Sequence, residues 1–151
     1  MQVQWYPGHM AKTRRMIKEH IPLVDVVLEL TDARAPFSTH VPDLDKLAGS
    51  KKLVVVFNKA DLADESVTHL WIDKFKEMNL TAIDVDTPGK RNLARLVNLI
   101  KQISGGNPMR PTRCMVVGVP NVGKSSIINQ MAGRKGAKTG NLPGITRGKM
   151  W

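Results

Sequence analysis

The sequence predicts an α/β protein built on an open, mostly parallel sheet, and three observations carry that expectation. Apolar runs of strand length alternate with stretches whose apolar residues recur at helical spacing. One run, residues 53–57 (LVVVF), is continuously apolar, as expected of a parallel strand covered on both faces. A glycine-bearing stretch, residues 118–123, joins another Val-containing run to a helix-like segment. The 151 residues are enough to close one hydrophobic core, and 42% hydrophobic with 24% charged residues is the balance of a folded chain.

Taken in order, residues 10–21 read as a short amphipathic helix. Met10, Ile17 and Ile21 share a face, Lys12, Arg14, Arg15 and Lys18 cover the rest, and Pro22 stops it. Residues 24–31 read as a strand, followed by the loop Asp32-Ala33-Arg34-Ala35-Pro36. Residues 53–57 form the second strand. Residues 67–78 read as a helix with Val67, Leu70, Trp71, Phe75 and Met78 as its apolar stripe. Residues 80–85 give a third strand, and Leu93, Leu96, Val97 and Ile100 mark another helix. The polar, Gly/Pro-rich residues 104–112 (SGGNPMRPT) read as a linker. Residues 113–117 form the fourth strand and 125–132 the helix after it. The tail, residues 133–151, holds Gly133, Gly136, Gly140, Gly144 and Gly148 with little apolar periodicity, and is expected to be a mobile loop. Ligands of such sheets gather at the C-terminal ends of strands, which directs attention to the loops after Thr31, Phe57, Val85 and Val117.

The net charge of +10, from 23 Lys and Arg against 13 Asp and Glu, favours a polyanionic partner, since each cation that meets a phosphate releases a counterion. A basic but non-binding surface is the alternative. The one cysteine, Cys114, lies in an apolar run and reads as a buried small hydrophobe with no catalytic role; a chain without an internal disulfide suits a reducing compartment. Residues 1–9 lack an apolar signal core and no run approaches the length of a membrane span. The expectation is no membrane, and a cytoplasmic location, or an organelle matrix after loss of a targeting segment.

The strongest chemical signal is Gly118-Val119-Pro120-Asn121-Val122-Gly123-Lys124-Ser125, which fits G-x-x-x-x-G-K-[ST] between a strand and a helix. Glycines let backbone N–H groups turn inward around phosphates, and the following helix N-terminus adds favourable partial charge. Lys124 is expected to reach the β- and γ-phosphates, and Ser125 to offer its hydroxyl to Mg²⁺, with Asn121, Val122, Gly123 and Ser126 completing the cradle. The second signal is Asn58-Lys59-Ala60-Asp61 after the second strand. A carboxylate at Asp61 can accept both the N1–H and N2–H₂ of guanine, a donor pair that adenine lacks. Asn58 would brace the loop, and the stem of Lys59 would cover a face of the base. Alone, this tetrapeptide is a weak motif, and a solvated turn is the commoner explanation.

Together the two motifs resemble those of translation-factor-like and Ras-like GTPases, but in reversed order, the pattern of circularly permuted GTPases. Trp5-Tyr6-Pro7-Gly8-His9-Met10 and Asp32-Ala33-Arg34-Ala35-Pro36 are similar to the signatures of one branch, the ribosome biogenesis GTPase A (YlqF) family. The resemblance runs from Trp5 to Trp151. It implies a three-layer, circularly permuted P-loop NTPase fold, with residues 1–22 as a basic N-terminal helix region and 23–151 as the GTP-binding domain. It also implies hydrolysis of GTP to GDP and phosphate with Mg²⁺, the large ribosomal subunit and its rRNA as partners, and a monomer. Pro143-Gly144-Ile145-Thr146 is similar to the family's switch I, which would bring Gly144 to the nucleotide and Thr146 to Mg²⁺ and the γ-phosphate; the residues alone read as a turn after a loop. The family has a hydrophobic residue where many GTPases carry a catalytic Gln, which points to His9 for positioning water, although a lone His in a loop also reads as structural or solvated.

Two departures stand out. The family's switch II, Asp-x-x-Gly, follows switch I and two strands, and the chain stops at Trp151 before them; the family's C-terminal RNA-contacting helical domain is also absent. A fragment is therefore expected, truncated before switch II, with the fourth strand left as an open sheet edge. Asp86-Thr87-Pro88-Gly89 has the switch II letters at the position of the second base-contacting loop, so Val85, Asp86 and Thr87 are expected near the guanine. The rival readings are a nucleotide-gated rRNA-binding module with little hydrolysis, and a permuted GTPase of a small-subunit assembly branch.

Overall fold

The computed structural model describes residues 7–105, 107, 109–132 and 145–149, with the backbone alone for residues 7–10 and 145–149. Helix α1 spans Pro7–His20, strand β1 Val26–Asp32, helix α2 Leu44–Ala48, strand β2 Lys52–Asn58, helix α3 Glu65–Glu77 and strand β3 Thr81–Asp84. Helix α4 spans Leu93–Ile103, strand β4 Arg113–Gly118, helix α5 Lys124–Met131 and strand β5 Ile145–Lys149. The strands form one sheet in the order β3-β2-β1-β4-β5, with every neighbour parallel except β5 against β4.

Alternation along the strands sorts the core into three layers. Val26, Leu28 and Leu30 of β1 face one side, where they pack with Val54, Val56, Val116, Leu96 and Ile100 of α4 and Ile127 of α5. Val27 faces the other side with Met115 and Val117, against Ile17 of α1 and Leu44 of α2. Val55 and Phe57 share that second side with Phe75 of α3. The helices after β1 and β4 therefore lie on opposite faces of adjacent strands. In open α/β sheets such a switch of helix face is where ligands bind, at the C-terminal ends of the strands.

Helix α1 starts earlier than its apolar spacing suggests. Pro7 is its first residue, where proline's fixed φ suits a helix and its missing N–H costs nothing. His9 thus sits in the first turn of a helix rather than in a loop. Pro22 ends the helix as expected: α1 gives way to a 3₁₀ turn at Ile21–Leu23. Ile17 is fully buried, so the basic helix is docked on the sheet by its apolar side.

Two expectations fail. The stripe of α3 is rotated: Phe75 is buried and Trp71 half-buried, but Val67, Leu70 and Met78 are 48%, 68% and 41% exposed, and the buried residue of the first turns is Thr68. Thr68 can be buried because its hydroxyl donates to Asp64 O at 2.8 Å, one turn back. The other failure is the tail. Residues 145–149 form a strand, with Ile145 opposite Val117 and Lys149 opposite Arg113. Strand β4 therefore has a neighbour on each side and is not the open edge. A short extended segment with β-branched Ile145 and Thr146 satisfies the backbone groups that β4 would otherwise expose. Residues 133–144, including Gly144, lie outside the described residues.

Candidate functional site

The four parallel strands end at one rim. Asp32 closes β1, Asn58 closes β2 directly opposite it, Asp84 closes β3, and Gly118 closes β4 opposite Leu30. Both glycines of the phosphate-loop motif have identifiable reasons. A Cβ on Gly118 would lie 2.6 Å from the Leu30 carbonyl oxygen, so only glycine lets β4 leave the sheet here. Gly123 has φ +94°, and a Cβ there would collide with the Asn58 amide. Asn121 also takes a left-handed turn, at φ 65°, while Val122 drives its side chain into the core. The loop ends at the N-terminus of α5, with Ser125 and Ser126 exposed in its first turn. Lys124 folds back over the loop. Its Nζ donates to Gly118 O at 3.0 Å and Val119 O at 2.9 Å, and burial pushes its ammonium below its ordinary pKa.

The tetrapeptide after β2 is bolted to this loop. Asn58 is buried; its Nδ2 donates to Val122 O at 2.8 Å, and its Oδ1 accepts from Thr87 Oγ1 at 2.7 Å. One amide thus ties together the loops after β2, β3 and β4. Lys59, in a left-handed conformation at φ 60°, stretches across so that its Nζ donates to Asn121 O at 2.7 Å. Asp61 lies in the 3₁₀ turn Ala60–Leu62 with its carboxylate exposed. The turn is registered against β3: Ala60 N–H donates to Val85 O, and Val85 N–H to Phe57 O. Val85 therefore sits beside the site by its backbone, with its side chain in the core. Asp86 stays local, its Oδ1 accepting from the Gly89 N–H at 3.0 Å.

A cluster that the sequence reading did not foresee stands at the same rim. Asp32 is gripped by Arg34 and lies 3.9 Å from Lys59 Nζ. The motif was visible as a signature, but its contact with the tetrapeptide spans 27 residues and has no local mark. Deeper in the sheet Glu29 is fully buried and carries His40, with Nδ1 2.8 Å from Oε1. The side chains of His9 and Thr146 are outside the described residues. Among the described residues no group of three or more His, Cys, Asp or Glu could hold a metal ion, and no helix is long and apolar enough to cross a membrane.

Residues 113–151, which start at β4 and include the phosphate loop, match the family model described as 50S ribosome-binding GTPase. Across its whole length the chain is 40% identical to the ribosome biogenesis GTPase A of Priestia megaterium and 42% identical to that of Bacillus cereus. This chain belongs to the ribosome biogenesis GTPase A (YlqF) family. The crystal structure of GNP-bound YlqF from T. maritima matches with a TM-score of 0.65 and 29% identity, covering 93% of this chain and 59% of that one. A mouse relative, mitochondrial ribosome-associated GTPase 1, is 37% identical over 95% of this chain. The chain spans about half the length of the curated relatives it matches, 56% and 54% of the two bacterial proteins. In this chain the tetrapeptide at Asn58 precedes the loop at Gly118; both leave parallel strands at one edge, so their order along the chain does not alter the rim they build.

Proposed function

We propose that this chain is the guanine-nucleotide-binding part of an enzyme that hydrolyses GTP to GDP and phosphate and serves assembly of the large ribosomal subunit. The observation that carries the reading is the Asn58 amide, which joins the loops after β2, β3 and β4 while leaving the Asp61 carboxylate exposed beside them. Asp61 accepts the paired donors of guanine, the Lys59 stem covers the base, and the loop backbone from Asn121 to Ser126 with the N-terminus of α5 receives the phosphates. Asp86 lines the base side, with Val85 contributing backbone and the buried Thr87 acting through its hydrogen bond to Asn58. Lys124 exchanges its two loop carbonyls for phosphate oxygens; a lysine already part-buried gains most from a negative partner.

The exposed Ser125 hydroxyl at the start of α5 fits Mg²⁺, which takes few protein ligands and shares phosphate oxygens with its nucleotide. Ser125, with Thr146, would hold the ion, which when bound neutralises charge on the phosphates. Gly144 is assigned to nucleotide binding and His9 to positioning water, both from their place in the sequence motifs. The partner is the large subunit and its rRNA; relatives named as bacterial and as mitochondrial proteins suit a location where ribosomes assemble. The test is calorimetry with GTP, ATP and xanthosine triphosphate. The parent should prefer GTP, and Asp61→Asn should shift preference to the xanthosine nucleotide, whose C2 carbonyl can meet the amide N–H₂. Equal affinity of the parent for ATP and GTP would overturn the reading.

A further inference from the structure

Asp32 is the most heavily engaged carboxylate at the rim. Its Oδ1 accepts from the Arg34 backbone N–H and Nε, each at 2.9 Å, and its Oδ2 from Arg34 Nη2 at 2.7 Å. The backbone turns to allow this because Asp32 N–H donates to Thr39 Oγ1 at 2.9 Å, and that hydroxyl donates to Ala35 O at 2.8 Å. The fork leaves Oδ2 facing the neighbouring strand end, 3.9 Å from Lys59 Nζ. The same ammonium reaches Asn121 O of the phosphate loop. Lys59 is thus anchored between one carboxylate and one carbonyl, and Asp32 is its only anionic partner among the described residues.

We propose that Asp32 is a positioning residue for guanine-nucleotide binding that acts through Lys59. It keeps the ammonium beside Asn121 so that the lysine stem stays laid along the base site, and Arg34 holds Asp32 in the rotamer that does so. This inference rests on the guanine-nucleotide reading above. Arg34 cannot take over the task, because it is itself a cation with no acceptor to offer the Lys59 ammonium. A freely rotating carboxylate would pair with Arg34 or Lys59 in turn and leave the lysine stem unfixed. Ordering the stem before the nucleotide arrives removes an entropic cost from binding.

The test is a double-mutant cycle on the full chain, read as the dissociation constant for fluorescently labelled GDP. Asp32→Asn should weaken binding about three- to fivefold, the scale of a partly exposed ion pair. In a Lys59→Met background, which keeps an unbranched apolar stem without the charge, Asp32→Asn should change nothing further. Arg34→Gln, which frees Asp32 without altering it, should give a smaller loss that also vanishes in the Lys59→Met background; it carries the test if Asp32→Asn fails to fold. An equal loss with and without the Lys59 charge would show that Asp32 only shapes its loop and would overturn the proposal. A parent chain that binds no GDP would instead sink the guanine-nucleotide reading and this inference with it, whereas a parent that binds GDP with additive mutations sinks this inference alone.

Discussion

Individual residues at the rim constrain one another. Asn58 is fixed by Val122 and Thr87, and it fills the space where a side chain on Gly123 would go. Gly123→Ala should therefore suffer twice, from a left-handed backbone and from a displaced amide. A destabilisation of about 1–3 kcal/mol in urea unfolding is expected, together with loss of GDP binding; unchanged stability would show that the loop relaxes easily. Lys124→Ala removes a charge-assisted contact and should cost about 1.5–3 kcal/mol of triphosphate affinity by calorimetry while leaving the fold intact. Away from the rim, the hydrogen bond to Glu29 raises the pKa of His40 above its ordinary 6.5, against the opposing effect of burial. Because the folded value is the higher one, the pair's contribution is fully present below pH 6.5 and is lost as pH rises through the raised value. Thermal unfolding of the parent should thus fall over that interval relative to His40→Gln, which has no such titration; parallel curves would refute the assignment. The phosphate loop and the tetrapeptide were legible in the sequence because each is a contiguous motif. The Glu29–His40 pair was not: a glutamate in an apolar strand declares its burial only once the fold supplies its partner.

At the scale of elements, the four parallel strands were legible to within about two residues, β2 most plainly because burial on both faces writes a continuous apolar run. Helix α3 shows where that reasoning fails. Val67, Leu70 and Met78 have helical spacing and look like a core stripe, but the element meets the sheet through Phe75, whose ring lies edge-on to Phe57 at 5.0 Å between centroids. Trp71 packs partly outward, stacked on Phe37 at 6.2 Å. The difference is measurable. Phe75→Ala should cost about 3–5 kcal/mol, as for a large aromatic removed from a close-packed site, whereas Leu70→Gln should stay within about 0.5 kcal/mol of the parent. A large loss for Leu70→Gln by chemical denaturation would show that its exposed face is covered in solution. Strand β5 failed for the opposite reason. Its five residues include Gly148 and two cations, so their pattern is that of a loop, and only the unpaired edge of β4 makes a strand of them.

For the molecule as a whole, the alternation of strands and helices sufficed to predict a parallel sheet, but not the strand order. The order matters because it sets β1 beside β4, and so brings residues more than 60 positions apart, Lys59 and Asn121, into contact. The net charge is likewise a property of the whole, and the fold gives part of it a location. Lys12, Arg14, Arg15 and Lys18 are all exposed on α1, while Ile17 holds that helix to the sheet. Arg14 is partly engaged, 3.6 Å from Asp43. The other three are the cations of this helix most available to RNA phosphates. If the proposed rRNA partner is met here, binding should weaken linearly in log affinity against log salt concentration, since each contacted phosphate releases its counterions. Replacing Lys12, Lys18 and Arg15 together by Ala preserves helix propensity and the buried Ile17, so the fold and GDP affinity should persist. The salt slope should then become shallower by about two to three, at 0.7–0.9 for each lost contact. Titrations of an rRNA fragment at several salt concentrations measure this directly. An unchanged slope in the triple variant would move the RNA-facing surface away from α1, and a slope near zero in the parent would remove the electrostatic argument for a polyanionic partner altogether.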